Sequence, residues 1–158
     1  MIKRLAIYDM DGTIVCSLHR YRTMQKDGRE VIDLEHWRAN EHRAFDDGFL
    51  PMVEQYRADI ADPSCYVIIA TARVLGDADN RFIMEKLGSP DYVISRKAGS
   101  AISGGVMKIK GLQRFFNLKN FREACKNAIF YEDNAAYLKA VCDAFNIRGV
   151  YVPSKQGH

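Results

Sequence analysis

The sequence predicts a three-layer α/β sandwich of Rossmann type, with a central, mostly parallel sheet of about five strands. Short apolar runs alternate along the chain with longer helical stretches, which is typical of βαβ units. Most of these runs are apolar almost throughout, as expected for strands that helices cover on both faces. The predicted strands are Arg4–Tyr8, Tyr66–Ala70, Tyr92–Ile94, Ala128–Tyr131 and Gly149–Val152.

Helices are predicted between these strands from capping residues and from apolar side chains at helical spacing. Asp33 and Pro51 suit helix starts, whereas Gly88 suits a helix end. The predicted helices cover residues 33–45, 51–60, 77–87, 112–116, 121–127 and 134–145. Two segments interrupt the alternation. Residues 14–32 are predicted to form a hairpin or loop over the mouth of the sheet, and Ala98–Gly105 is predicted to be a mobile loop.

Length and composition fit one soluble domain. The chain has 158 residues, of which 47% are hydrophobic and 27% charged, and we expect a single domain over 1–158 with a small cap or flap insert around 14–47. No apolar run is long enough to span a bilayer, and the start MIKRLAIYDMDGT does not resemble a signal peptide. The four cysteines show no CxxC pair, which favours reduced thiols in a cytoplasmic protein. The last residues, SKQGH, are expected to be loose.

Basic residues concentrate in one part of the chain. Residues 96–126 contain eight basic side chains and one acidic side chain, a net charge of +7, so the rest of the chain carries −4. Such a stretch is either an ordinary solvated face or an electrostatic guide for a polyanionic substrate, and the sequence leaves both open. The basic residues are Arg96, Lys97, Lys108, Lys110, Arg114, Lys119, Arg122 and Lys126.

The first strand ends in the string Asp9-Met10-Asp11-Gly12-Thr13, at the edge where open α/β sheets place their sites. An acidic turn after a buried strand is common, but the full DxDGT string is far more specific. Asp9 is the candidate nucleophile, because a carboxylate that attacks phosphorus divides one difficult displacement into two easier ones. Asp11 is the candidate acid that protonates the leaving oxygen and later deprotonates water.

Two further segments supply candidate phosphate ligands. The predicted strand ending in Thr71-Ala72-Arg73 offers a hydroxyl group for a phosphoryl oxygen and a guanidinium group for bidentate phosphate binding. Lys108 and Lys110 compete for the role of the catalytic lysine, which offsets the repulsion between phosphate and an attacking carboxylate. Lys108 is preferred because the apolar residues that follow it at helical spacing face the core. Lys110 stays a second choice and a candidate phosphate ligand, and both lysines could also be simply solvated.

Paired acids, Glu132 and Asp133, follow another apolar strand. Adjacent acids at a strand end are costly unless a cation or solvent compensates their charge. Asp133, Asp9 and the backbone carbonyl of Asp11 are therefore candidate ligands of Mg²⁺. Glu132 is a candidate for holding a metal-bound water or for orienting a neighbouring side chain. The alternative for Asp133 is a plain helix cap.

In this order, Asp9–Thr13, Thr71, Lys108 and Glu132–Asp133 resemble the four motifs of the haloacid dehalogenase (HAD) superfamily of phosphohydrolases. The resemblance covers residues 4 to about 152. It implies a parallel sheet with the nucleophile at the end of the first strand, an obligatory Mg²⁺, and phosphoryl chemistry, since Asp11 is present. We therefore expect a Mg²⁺-dependent phosphomonoester hydrolase that acts through an aspartyl-phosphate.

A narrower resemblance concerns the strings at 71–73 and 130–134, which are similar to the phosphatase half of phage polynucleotide kinase-phosphatases and to RNA-repair-like members. In those relatives the arginine after the second motif helps to bind the substrate phosphate, a role that falls on Arg73. The chain departs from them in having glutamate at Glu132 and a longer insert between the first two motifs. It contains no GxxxxGK[ST] motif, so a kinase or ligase partner, if one exists, is expected on another polypeptide.

The expected substrate is a phosphate on a nucleic-acid end or a nucleotide, with a 3′-phosphate end first. A small insert leaves the site open to bulky substrates, and the basic segment agrees with this. Phosphatases of small metabolites or mononucleotides, and a non-catalytic module that binds nucleic-acid ends, are the alternatives. Trp37, Tyr21, Phe45 and Phe49 either stack a base or, as we favour, anchor the insert to the core.

Overall fold

The structure, a computed structural model, describes residues 1–154. The prediction for the tail SKQGH lies outside the described residues from position 155 onward. In chain order the strands are β1 (Arg4–Tyr8), β2 (Val15–Cys16), β3 (Thr23–Lys26), β4 (Arg29–Ile32), β5 (Gly48–Phe49), β6 (Cys65–Ala70), β7 (Tyr92–Ile94), β8 (Ala128–Glu132) and β9 (Arg148–Tyr151). The α-helices are α1 (Leu34–Ala39), α2 (Val53–Ala61), α3 (Asp77–Phe82), α4 (Gly104–Phe116), α5 (Arg122–Lys126) and α6 (Ala135–Phe145).

Five strands form a parallel sheet in the order β7-β6-β1-β8-β9, as predicted. β1 lies at the centre, where Ile7 pairs with Ile68 of β6 on one side and with Phe130 of β8 on the other. Since the strands run in one direction, the residues that follow β1, β6 and β8 meet at one edge of the sheet. This register brings the predicted acidic and hydroxyl motifs together.

Helices cover both faces of the sheet, and side chains alternate between two cores. Leu5 and Ile7 of β1 face α4, α5 and α6, whereas Ala6 and Tyr8 face α2 and α3. All four side chains are buried, as strands covered on both faces require. The predicted Rossmann-like three-layer fold is confirmed.

The segment between β1 and α2 forms a small, irregular insert. β3 and β4 make an antiparallel hairpin whose turn, Asp27-Gly28, has positive φ at both residues. Asp33 caps α1 by accepting a hydrogen bond from the His36 N–H at 3.0 Å. The helix predicted over 33–45 nevertheless breaks at Asn40, whose side chain binds the His36 carbonyl, and continues as the 3₁₀ turn Glu41–Asp46.

The loop predicted over 98–105 is shorter than expected, because α4 already begins at Gly104. Ser103 caps this helix through the Val106 N–H at 3.3 Å. A Cβ atom on Gly104 would lie 2.7 Å from the ring of Tyr137, so glycine here allows α4 to pack closely on α6. The glycine pair therefore serves helix packing rather than chain mobility.

The helix predicted over 112–116 begins eight residues earlier, at the start of α4, and the other predicted elements agree with the observed ones within a few residues. α3 continues as a π-helical turn, Ile83–Leu87, and ends at Gly88 with φ of +105°. The four cysteines are free thiols. Among the described residues no helix is long and apolar enough to cross a membrane.

Candidate active site

The loop after β1 brings Asp9 to the centre of the sheet edge. Its N–H donates to the Tyr131 carbonyl at 3.0 Å, which fixes the start of the loop against β8. Gly12 then turns the chain with φ of +80°, and a Cβ atom at this position would overlap the carboxylate of Asp133. Only glycine therefore lets the loop after β1 close onto the acid that follows β8.

Lys108 lies on the first turns of α4 and points into the same edge. Its buried Nζ donates to Asp9 Oδ1 at 2.8 Å and to Glu132 Oε1 at 2.5 Å. Glu132 Oε2 in turn accepts from the backbone N–H groups of Asp133 and Asn134, at 3.0 and 3.2 Å. Glu132 thus fixes Lys108, and Lys108 fixes the carboxylate of Asp9.

Lys110 is placed elsewhere. It is exposed, two residues further along α4, and it does not line the cavity that contains Asp9. A separation of two residues puts side chains on nearly opposite faces of a helix, so only one of the two lysines can reach Asp9. The structure therefore separates Lys110 from the other predicted phosphate ligands, and the lysine that meets Asp9 is Lys108.

Asp9 and Lys108 each stabilise the charged form of the other. Burial alone would raise the pKa of Asp9, but the adjacent Lys108 outweighs it and holds that pKa below its usual value. Burial likewise would lower the pKa of Lys108, whereas Asp9 and Glu132 raise it above its usual value. Asp9 is therefore a carboxylate at neutral pH, which is the nucleophilic form.

The acids at this edge fit a divalent cation. One carboxylate oxygen from each of Asp9, Glu132 and Asp133 lies within 4.8 Å of the others. The Thr13 hydroxyl bridges Asp9 Oδ2 at 3.2 Å and Asp133 Oδ1 at 3.4 Å, but the buried Oδ2 of Asp133 has no hydrogen-bond partner. Burial and the neighbouring Asp9 raise the pKa of Asp133 to about 10. A bound cation would give the orphaned oxygen a partner and restore the charge of Asp133.

Glu132 is the less suitable ligand of the set. Both of its oxygens already accept hydrogen bonds, and burial followed by repulsion from Asp9 raises its pKa to about 7. The carboxylate of Asp11 lies outside this acidic group, because Arg73 and Ser17 hold its two oxygens. A metal contact through the Asp11 backbone carbonyl stays a prediction.

The Asp11 carboxylate is held by Arg73, which follows β6. Arg73 Nε donates to Asp11 Oδ2 at 3.0 Å and Nη2 donates to Asp11 Oδ1, while Ser17 Oγ donates to the latter oxygen at 3.0 Å. Arg73 Nη1 also donates to Asp79, and Nη2 reaches Asp47 Oδ2 at 3.4 Å. Carboxylates thus occupy most of the five N–H donors of Arg73, which is not the arrangement expected of a bidentate phosphate clamp.

This network extends into the insert. Arg20 binds both oxygens of Asp47 at 2.8 and 2.9 Å, and its guanidinium stacks 4.1 Å from the centre of the Trp37 ring. Arg73 approaches the same ring at 5.2 Å. Arg20, Asp47 and Asp79 were not predicted as site residues, because ion pairs between distant segments leave no spacing pattern in the chain.

Asp9, Asp11, Glu132 and Asp133 line one part of a cavity of about 730 Å³. The predicted residues Thr71, Ala72 and Arg73 line it together with the acids, and the Thr71 hydroxyl accepts a hydrogen bond from the Arg73 N–H at 3.1 Å. The insert and the loop before α4 form the walls, through Tyr21, Ile32, Leu34, Trp37, Arg38, Glu41 and residues 98–102.

Most of the basic segment lies away from this cavity. Of its eight basic residues only Arg96 lines the cavity, and Lys108 lies buried beneath it. The guanidinium of Arg96 donates to the carbonyls of Ala72, Ser100 and Ile102, at 2.8, 3.1 and 2.6 Å. Arg96 therefore shapes the loop before α4, and the segment does not form one basic surface at the site.

The aromatic residues of the insert act mainly as anchors. Phe45 packs against the core and contacts the Lys86 ammonium at 4.0 Å, and Phe49 stacks on Phe82 with ring centres 5.6 Å apart. Trp37 lines the cavity, but the guanidinium of Arg20 already stacks on its ring. These contacts favour the anchoring interpretation.

Several solved structures share this fold. One comes from the Pnkp1/Rnl/Hen1 RNA repair complex, with a TM-score of 0.62 and 14% identity over 97% of this chain; the chain spans only 43% of the length of that relative. The HAD domain of the effector protein Lem4 from Legionella pneumophila has a TM-score of 0.60 and 12% identity, over 99% of this chain and 88% of the other. A haloacid dehalogenase-like hydrolase from Streptococcus pneumoniae has a TM-score of 0.59 and 11% identity, over 96% and 87%.

Sequence comparison identifies the family. No curated protein sequence matches the chain significantly. The family model described as bacteriophage T5 5′-deoxynucleotidase, however, matches residues 1–148, nearly the whole chain. Together with the fold and the four assembled motifs, this match confirms the predicted HAD resemblance: the chain belongs to the bacteriophage T5 5′-deoxynucleotidase family and is a phosphatase of the HAD type.

Proposed function

We propose that the protein hydrolyses the 5′-phosphate of deoxynucleoside monophosphates through an aspartyl-phosphate on Asp9. The observation that carries the chemistry is the ionised Asp9 carboxylate, fixed by buried Lys108 beside the orphaned oxygen of Asp133. The family match supports a 5′-deoxynucleotide as substrate. A cavity of about 730 Å³ is also of the size that encloses a small ligand.

In the proposed mechanism Asp9 attacks phosphorus while the bond from phosphorus to the nucleoside 5′-oxygen breaks. Asp11 must be protonated when the substrate is bound; it gives this proton to the departing oxygen, which leaves as the nucleoside hydroxyl group. Asp11 then takes a proton from water, which attacks the aspartyl-phosphate and releases inorganic phosphate. Lys108 lowers the repulsion between the phosphoryl group and Asp9, and the Thr71 hydroxyl donates to a phosphoryl oxygen.

Mg²⁺ is the proposed cofactor, held by Asp9, Asp133 and the backbone carbonyl of Asp11. When bound, it would offset the negative charge of the phosphoryl oxygens. Glu132 is assigned to hold Lys108 rather than the metal, because its oxygens are already engaged.

Binding of Mg²⁺ is expected to stabilise the wild-type protein by about 2.7 kcal/mol at a metal concentration 100 times the dissociation constant. The Asp133→Asn variant is expected to lose this stabilisation, together with turnover, because it removes the carboxylate whose oxygen lacks a partner. Thermal unfolding with added Mg²⁺ or EDTA measures the effect independently of activity. Asp143→Asn, an exposed acid on α6, is the matched control and should keep the full shift. An unchanged shift in Asp133→Asn would remove Asp133 from the metal site.

Arg73 is proposed to position Asp11 rather than to bind phosphate, because its N–H groups already donate to the carboxylates of Asp11 and Asp47. Arg73→Lys keeps the charge but loses the two-point contact, so kcat for a 5′-deoxynucleotide should fall about 100-fold. The same variant should lose less than about tenfold on 4-nitrophenyl phosphate, whose leaving group departs without protonation. Equal losses on both substrates, expressed mainly in KM, would instead indicate a phosphate clamp. Arg122→Lys, an exposed arginine, serves as the control.

A second candidate function is removal of a 3′-phosphate from a nucleic-acid end, with any companion kinase or ligase activity supplied by a separate polypeptide. The structural neighbour from an RNA repair complex favours it. The placement of the basic segment does not, because only Arg96 and Lys108 of that segment lie at the site. A polymer end would benefit from a continuous basic groove beyond the active site.

The test compares kcat/KM for 5′-deoxynucleotides, 3′-phosphorylated oligonucleotides and 4-nitrophenyl phosphate at low and high salt with Mg²⁺. The proposal predicts the highest value for mononucleotides and a weak dependence on salt. A preference for the oligonucleotide that falls steeply with salt would support the second candidate and contradict the first.

A further inference from the structure

Exposed apolar side chains gather at the mouth of the cavity. Ile32, Leu34, Val74 and Ile102 are each between 36% and 54% exposed, and all four line the cavity. They come from three separate segments: the junction of β4 with α1, the loop after β6, and the loop before α4. We call these four residues the apolar rim. Apolar side chains that converge from distant parts of the chain on one opening are typical of a ligand-binding surface.

We infer that the apolar rim receives the nucleobase of the substrate and that it accepts all four bases. This inference rests on the proposed function, because it assumes a nucleotide whose phosphate lies against Asp9. One end of the cavity is lined by acids and by the Thr71 hydroxyl, and the rim supplies an apolar surface to the same cavity. A ligand that matches both has a phosphate at one end and a flat, weakly hydrated ring at the other.

Trp37, one of the aromatic residues considered for stacking a base, already stacks with an arginine of the protein. The Arg20 guanidinium lies 4.1 Å from the centre of the Trp37 ring, and Arg73 approaches at 5.2 Å. Displacing Arg20 would break its buried ion pair with Asp47. The base is therefore expected to contact the aliphatic rim rather than to stack on Trp37.

Tolerance towards all four bases follows from the lack of hydrogen-bonding groups on the side chains of the apolar rim. Strong discrimination requires buried donors or acceptors that a wrong ligand would leave unpaired. The four side chains of the apolar rim carry no donor or acceptor, so a change of base leaves none of their atoms unpaired. Aliphatic side chains such as Leu34 and Ile102 contact every base in a similar way.

The test measures kinetics with Mg²⁺ on the four 5′-deoxynucleotides and on 2-deoxyribose 5-phosphate, which lacks a base. Leu34→Ala and Ile102→Ala are expected to raise KM for all four nucleotides by about 5- to 20-fold, with kcat changed less than about twofold. Their kcat/KM on 2-deoxyribose 5-phosphate should match the wild-type value. Leu118→Ala is the matched control, because Leu118 is 44% exposed and lies outside the cavity.

Three results would overturn the inference. They are unchanged KM values in both rim variants, an equal loss on 2-deoxyribose 5-phosphate, or a wild-type preference of more than about 100-fold for one base. Each can arise while the wild type hydrolyses 5′-deoxynucleotides well, so the proposed function would stand. A wild type that cleaves 4-nitrophenyl phosphate but no 5′-deoxynucleotide would overturn both proposals. Thermal unfolding checks that the variants fold, which the exposure of Leu34 and Ile102 leads us to expect.

Discussion

Replacing Asp9 with asparagine is expected to abolish turnover, with kcat lowered about 10⁴-fold or more. The amide removes the charged oxygen that attacks phosphorus, so no aspartyl-phosphate can form. The fold should survive, because asparagine has nearly the same shape as aspartate and the loop is fixed by the hydrogen bond from the backbone N–H of residue 9 to the Tyr131 carbonyl. Loss of one negative charge also relieves repulsion on Glu132 and Asp133, both of whose pKa values Asp9 helps to raise.

The measurement is hydrolysis of 4-nitrophenyl phosphate and of 5′-deoxynucleotides with Mg²⁺, combined with thermal unfolding. Asp143→Asn carries the same chemical change on the exposed face of α6 and should retain wild-type activity. Mass spectrometry of acid-quenched wild-type enzyme should detect the phosphorylated Asp9 peptide. An Asp9→Asn protein that keeps substantial activity would exclude Asp9 as the nucleophile.

Replacing Lys108 with methionine is expected to affect both activity and stability. The buried ammonium is the shared partner of Asp9 and Glu132, so its loss leaves two buried acids without a cation. Breaking a buried pair in this way typically costs about 3–5 kcal/mol of unfolding free energy. Activity should fall about 10³-fold, because nothing then offsets the repulsion between phosphate and Asp9.

Lys110→Met is the matched control, since it makes the same change two residues further along α4 on an exposed side chain. It should unfold within about 0.5 kcal/mol of wild type and keep its kcat. The double variant Lys108→Met/Glu132→Gln separates the two effects: it should regain part of the stability, because one buried charge is gone, but no activity. If Lys110→Met lost activity while Lys108→Met kept it, the assignment of the lysine would be reversed.

Much of the fold was predictable because its signals are local. The five strands of the sheet are apolar runs, and each was predicted within a residue or two. The acids after β1 and β8 stood out because charges directly after buried strands are costly without a purpose. The order of the motifs then implied that parallel strands bring these residues to one edge of the sheet, as observed.

The errors concern features that depend on distant contacts. Gly104 and Gly105 indicated a flexible loop, whereas close packing against Tyr137 places them in a helix. The role of Arg73 in phosphate binding stays a prediction, but its partners Asp11 and Asp79 become visible only in three dimensions. The walls of the cavity also could not be predicted, because the insert and the loop before α4 meet only in the folded chain.

The ion pair between Arg20 and Asp47 has a consequence for engineering. These two residues flank the hairpin of β3 and β4 together with α1, and their contact closes that stretch of chain at its base. The tip of the hairpin is free of close neighbours, since nothing lies within 4 Å of a Cβ atom built on Gly28. The hairpin of β3 and β4 is therefore the exchangeable part of the insert, whereas Ala44 and Phe45 stay packed against the core. Grafting a different hairpin within the stretch that Arg20 and Asp47 close would redesign the substrate range while the catalytic edge of the sheet stays as it is.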